Sequence, residues 1–183
     1  QCTYRWWYKY ALKIPEPPKR ASTAGSEIDK LVAHAIETNS VPSSEGWGPV
    51  ALAALEYLRT RGARAQVVVQ GVQFAGALFG GWDRDRPSAI DVLDMDRLDE
   101  PSERDSRGNP IPHIKDLKTS GDIKKWHKPR HVLEHDLQVL IYARAVSVWF
   151  RDRYGYFPER VDCSWIYVER KPANPKVIPI EFW

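Results

Sequence analysis

Methionine and cysteine are nearly missing: the 183 residues hold one Met, Met95, and two Cys, Cys2 and Cys163. With no methionine at position 1, a processed or trimmed product is expected. Two thiols are too few for a disulfide framework, a four-thiolate zinc site or an iron–sulfur cluster within the chain. Reduced thiols in an intracellular protein are the plainer reading than a Cys2–Cys163 bridge. No apolar run reaches the ~18 residues of a spanning helix. The opening QCTYRWWYKY also lacks the small-residue cleavage pattern of a secretory signal. A cytoplasmic protein with no membrane partner is therefore expected. Internal repeats are lacking as well.

A strong charge of either sign is also absent, with 27 cations against 24 anions and a net charge of +3. The distribution is less even than the total. Cations gather at Arg5, Lys9, Lys13, Lys19 and Arg20, at Lys118, Lys124, Lys125, Lys128 and Arg130, and at Arg151 and Arg153, while anions concentrate in Asp83–Asp105. Separation of this kind favours a basic surface able to attract phosphates. Apolar residues at 43% and charged residues at 28% permit a core and argue against disorder. The length fits one domain over 1–183.

Tyr4–Ile14 reads as a helix that Pro15, Pro17 and Pro18 terminate. A second helix starts near Thr23, its stripe formed by Ile28, Leu31, Val32, Ala35 and Ile36 at helical spacing. Asn39–Gly48 reads as a polar loop. Pro49 suits the first position of a third helix carrying Val50, Leu52, Leu55 and Leu58, and Gly62 suits its C′ position. Strands are expected at Ala65–Phe74, Ser88–Met95, Ile111–Lys118 and Cys163–Arg170, with a strand or bent extension at Ala77–Trp82 and a final extended piece at Val177–Phe182. Leu98–Pro110 reads as a solvated hairpin tip, and Val132–Phe150 as a long helix with Leu133, Leu137, Leu140, Ile141 and Val148 on one side. This order makes an α/β or α+β domain with a mixed sheet.

The informative stretch is HIKDLKTSGD. In a strand, Asp116 and Lys118 share a face while Leu117 points to the opposite, packed side. A carboxylate beside an ammonium at a strand end suits divalent-metal binding and the orientation of a water near a phosphate, and it also suits an ordinary surface ion pair. Asp91 lies between Ile90 and Val92 in the preceding strand, and its burial needs compensation that a hard cation supplies. If the two strands pair, Asp91 and Asp116 converge. Asp94 and Asp96, odd-numbered steps from Asp91, read as solvated strand-end residues. His131, His135, Gln138 and Tyr142 form one polar stripe along the long helix, either a half-exposed edge or the lining of a cleft. A zinc site from His131 and His135 lacks a matching third ligand.

Taken in order, Cys2–Tyr10 with its Arg-Trp-Trp-Tyr core, Gly25-Ser-Glu-Ile-Asp29 opening a helix, Asp91 ahead of Asp116-Leu117-Lys118-Thr119, and Gln138 with Tyr142 resemble the PD-(D/E)xK nuclease superfamily in its RecB-type exonuclease branch, which includes phage recombination and CRISPR-associated nucleases. The resemblance implies a restriction-endonuclease-like core, a mixed β-sheet flanked by helices. It implies Asp91 and Asp116 as metal ligands, the Leu117 carbonyl as a further oxygen, Lys118 as the catalytic lysine, and Gln138 and Tyr142 as supporting residues. The helical motif in that family usually ends in His, where this chain has Asp29. His34 lies about 140° from Asp29 around a helix, so the two cannot face one site. Asp29 is favoured, since an oxygen ligand suits Mg²⁺ or Mn²⁺. Cys2 falls near the first cysteine of iron–sulfur members, but the later cysteine group is missing and no cluster is expected.

The resulting expectation is a metal-dependent DNA exonuclease of recombination, repair or phage DNA processing. Backbone contacts from Lys124, Lys125 and Arg5, with His131 and His135 beside the cleft, would hold DNA without reading its sequence. A homo-oligomer, or a helicase or recombination partner, would supply processivity. The alternative is a catalytically inactive DNA-binding module that keeps the nuclease fold, which the replacement of His by Asp29 favours.

Overall fold

The computed structural model describes residues 20–59, 63–69, 88–94 and 104–183. The helix expected at Tyr4–Ile14, the strand or bent extension at Ala77–Trp82, the far half of the Ala65–Phe74 strand, and Cys2, Arg5, Gly62 and Asp96 lie outside them.

Two helices come first, α1 (Arg20–Thr38) and α2 (Gly48–Leu58), followed by β1 (Arg64–Val69), β2 (Ser88–Asp94) and β3 (His113–Ser120). The short helices α3 (Ile123–Trp126) and α4 (Arg130–Leu133) lead into α5 (Leu137–Tyr154), and β4 (Asp162–Glu169) and β5 (Val177–Phe182) close the chain. The strands form one five-stranded sheet in the order β1-β2-β3-β4-β5. All neighbours are antiparallel except β3 and β4, which run parallel. A parallel pair needs a long crossover, and α3, α4 and α5 supply it.

The sheet is covered on both faces, so the fold is α/β with a mixed sheet flanked by helices. On one face Ile28, Val32 and Ala35 of α1 and Val50, Ala54, Leu55 and Leu58 of α2 pack on Val92, Leu117, Ile166 and Val168. On the other, Val139, Val146 and Phe150 of α5, with Ile123 and Leu133, pack on Ile114, Trp165, Tyr167 and Phe182. The stripe expected on α1 is the one buried, with Leu31 and Ile36 at its margin. The α5 stripe is turned from the one expected: Leu140 is exposed, and the buried set is Val139, Ala145, Val146 and Phe150. Val139, Val146 and Phe150, spaced i, i+7, i+11, are the apolar stripe that packs, and Gln138 beside it reaches β3.

Three boundaries differ from the expectation and have local causes. The helix α2 ends at Leu58, with Arg59 in an extended conformation, ahead of Gly62. The Arg59 guanidinium donates to the Ala35 carbonyl at 2.6 Å and also to that of Ser40, tying the chain leaving α2 to the end of α1. Gly25 lies inside α1 rather than at its start. A mid-helix glycine costs ~1 kcal/mol against alanine, and closeness explains it here, since a Cβ at Gly25 would stand 3.2 Å from Thr119 Oγ1. The helix thereby comes close to the exit of β3. Finally, the helix expected over Val132–Phe150 is two helices: Asp136 takes an extended conformation and starts α5 afresh, its carboxylate accepting from the Gln138 N–H at 2.9 Å. That helix runs on to Tyr154, where Gly155, at φ 78°, closes it in the left-handed conformation that glycine adopts without steric cost.

Candidate active site

The β2–β3 ladder is short, with paired residues running only from Val92↔Lys115 to Asp94↔His113. Past it, Asp91 reaches across with its side chain, and Oδ2 accepts the Leu117 N–H at 3.0 Å. One side-chain bond thus replaces ladder pairing where the strands part, which brings a carboxylate to the backbone between Asp116 and Lys118.

Asp116 and Lys118 share a face of β3, as the two-residue period requires, and Leu117 packs into the opposite core. The Asp116 carboxylate is 1% exposed. Its Oδ1 accepts from Gln138 Nε2 at 3.2 Å, and its Oδ2 pairs directly with the Lys118 ammonium. Gln138 also donates to the Tyr142 hydroxyl at 3.1 Å, so the two helical residues act as one bracket over β3. Lys118 stands 5.7 Å from the centre of the Trp165 ring.

Asp29 enters from α1. With Val32, Ala33 and Leu58 it lines a small recess whose other walls are Asp91, Val92 and Leu117. His34 is exposed on that helix and does not line the recess. Asp29 is therefore the α1 side chain brought to the cluster.

Electrostatics link the four charged groups. Burial pushes the Asp29 carboxyl up to about 6, Asp91 adds to the rise and Lys118 opposes it. Asp116 is pushed up to about 7, chiefly by burial; Lys118 pulls it down while Asp91 and Asp29 push it up. Burial would lower the Lys118 pKa, but the Asp116 and Asp91 carboxylates outweigh it and hold the ammonium above its ordinary range. Burial also raises the Tyr142 phenol, with Asp116 and Asp91 contributing. Crowded carboxylates whose charged forms are disfavoured in this way constitute a site short of positive charge.

The donors in this cluster are hard oxygens, which suit Mg²⁺ or Mn²⁺ rather than a soft metal. Among the described residues, no three His, Cys, Asp or Glu side chains are grouped so as to hold an ion as they stand. The residues fit a divalent cation by donor type and by charge deficit, and Lys118 occupies one Asp116 oxygen.

The remaining expected residues lie elsewhere. His131 is on α4 and His135 in the turn before α5, both exposed, so the single stripe of four polar residues is broken by the Asp136 cap and only Gln138 and Tyr142 share a helix. Neither histidine joins the carboxylates. Lys124 and Lys125 are exposed on α3. Asp94 is not a solvated strand end: it is 4% exposed and pairs at 3.3 Å with buried Lys115 on the α1–α2 face. It is still within the paired part of β2, and Lys115 supplies the countercharge that makes its burial tolerable.

Tyr167 and Asp136 are the neighbours that sequence reading passed over. Tyr167 is directly opposite Lys118 in the parallel β3–β4 register. Its hydroxyl accepts the Lys128 N–H at 3.2 Å, linking the site to the segment after α3. No motif marks it, although its alternation with Trp165 along β4 predicts a shared face. Asp136 could have been found as a helix-capping residue two positions before Gln138. Neither a family model, nor a curated protein, nor a solved structure matches this chain.

Proposed function

We propose that this chain is a metal-dependent DNA nuclease with a restriction-endonuclease-like core, working on phosphodiester bonds in DNA recombination, repair or phage DNA processing, as an exonuclease. The observation that carries the reading is the pair of buried Asp116 and half-buried Lys118 at the point where β2 and β3 part, with Asp91 bound to the backbone between them and Asp29 lining a recess with Asp91. Asp29, Asp91 and Asp116, with the Leu117 carbonyl, would hold Mg²⁺ or Mn²⁺. A bound cation of this kind lowers the pKa of its water and offsets charge on the phosphate.

The side chains divide the remaining work. Lys118 carries a proton it does not readily give up, so it acts as a fixed positive charge that positions the attacking water and balances charge developing on phosphorus oxygens. Asp116 would be among the residues that hold the ion, and its Oδ2 is the oxygen now paired with Lys118. Gln138 donates to its other oxygen and keeps the carboxylate oriented. Asp91 fixes the Leu117 peptide and so the direction of the strand between the two reacting side chains. Lys124 and Lys125 meet the DNA backbone without reading bases, which gives a steep salt dependence.

Labelled linear DNA incubated with Mg²⁺ or Mn²⁺ tests the reading. Cleavage should stop with a chelator, with Lys118→Ala and with Asp116→Asn; cleavage that persists in any of the three overturns it. The direct Asp116–Lys118 contact favours one second reading, an inactive DNA-binding module in which that ion pair is permanent. Calorimetry separates the two, since the nuclease binds divalent ions in a manner abolished by Asp91→Ala and the module does not.

A further inference from the structure

The geometry points to Trp126 as a base-stacking platform for a single-stranded segment of DNA beside the proposed active site. This inference rests on the nuclease reading for its choice of ligand, and it names the form of substrate that site takes.

Trp126 is 64% exposed, at the end of a helix of only four residues. An indole this exposed presents an aromatic face that a ligand can cover. The helix α3 is nevertheless held from several sides. Ile123 is buried beneath it, and Asp122 accepts from the Lys125 N–H at 3.1 Å. His127 Nδ1 lies 2.8 Å from the Ile123 carbonyl, and its ring meets Tyr167 edge-on at 6.2 Å. Lys128 donates its N–H to Tyr167 and pairs through its ammonium with Asp136. An aromatic ring carried on a braced element loses little freedom when a ligand lands on it.

Chemistry and position select the ligand. Exposed Lys124 and Lys125 flank Trp126, neither has a carboxylate partner among the described residues, and the Lys125 ammonium is 5.3 Å from the indole centre. Aromatic face plus unpaired cations is the combination that binds a strand whose bases are free to stack and whose phosphates run alongside. A duplex hides its base faces and would meet only the lysines. Trp183, the other highly exposed indole, has the Arg130 guanidinium at 4.0 Å from its ring centre, closer than the 5.3 Å at which the Lys125 ammonium stands from Trp126, so its ring has the closer cation partner of the two. The bracing also connects the platform to the chemistry, because Tyr167, which holds the segment after α3, is the register partner of Lys118.

The test uses the full chain in chelator, where no cleavage occurs, with fluorescein-labelled oligothymidylate and a blunt duplex of equal length followed by anisotropy. Trp126→Ala should weaken the oligothymidylate about five- to 150-fold, equivalent to about 1–3 kcal/mol for one stacked base, and change the duplex by less than about twofold. Trp126→Tyr should retain most of the affinity, while Trp126→Leu should not. Equal losses on both DNAs, no loss on the oligothymidylate, or full rescue by leucine overturns the inference. Because binding is read without turnover, a chain that binds single strands through Trp126 but never cleaves would lose the nuclease reading and keep this one.

Discussion

Replacing the Asp116 carboxyl by an amide should flatten the loss of stability that the metal-free protein shows as pH rises, a loss that a simple surface ion pair would not produce. In the folded chain the carboxyl titrates at about 7 against an ordinary 3.8. The folded state therefore holds this proton more tightly than the unfolded chain, and stability falls as pH rises through that window. Between about pH 5 and about pH 8 the unfolded carboxyl is already ionised while the folded one is being forced to ionise. At ~1.36 kcal/mol per tenfold, the loss is on the order of 2.5 kcal/mol. For a chain of this size that lowers the melting temperature by roughly 5–10 °C. Asp29, raised to about 6 but more exposed, adds a smaller loss of the same sign at slightly lower pH. The assay is thermal melting by circular dichroism in chelator, for the parent chain and for Asp116→Asn. The variant should keep only the shallow part of the slope. Mg²⁺ should restore the parent's melting temperature at about pH 8 and do little at about pH 5, because a carboxylate must lose its proton before it can bind the ion. A parent curve that is flat in chelator, or a slope that survives in Asp116→Asn, refutes the assignment of the charge deficit to this carboxyl.

Gln138→Ala should weaken divalent binding by about 10–100-fold in calorimetry, since it frees Asp116 Oδ1 without touching a ligand atom. His131→Ala and His135→Ala should leave that affinity within about twofold, because neither ring reaches the carboxylates; a larger loss with either would return the histidines to the site. Asp94→Ala should cost about 3–5 kcal/mol in denaturant melts, since it removes the carboxylate paired with the buried Lys115 ammonium, and combining it with Lys115→Met should recover most of that.

Strand period, more than any motif, made the candidate site legible. Asp116 and Lys118 on one face and Leu117 on the other follow from alternation alone, and the helical spacing of Gln138 and Tyr142 puts both on one face of α5, where the two side chains bond to each other. The same periodic reasoning failed for His131 and His135 because spacing presumes a continuous helix. Asp136 offers the backbone of Gln138 a side-chain acceptor, and that local bond starts a new helix where the apolar pattern runs on. Leu140 was misplaced because α5 carries two apolar stripes, and the one through Val139, Val146 and Phe150 is the one the sheet buries. Asp94 shows the limit from the other side. Its burial is offset by Lys115 on the neighbouring strand, two residues from its register partner His113, and a single strand read alone cannot reveal which residues lie across the ladder. Tyr167 is hidden more deeply, since the partner of Lys118 is set by the register of two parallel strands separated by an entire crossover. Contacts within one element are thus readable from spacing, whereas those that bring Asp29, Asp91, Asp116 and Tyr167 together exist only once three strands and a helix have packed. The chemical character of the site arises at that later level: Asp29 and Asp116 are ordinary carboxyls in the unfolded chain and become titrating neighbours only when packing removes their water.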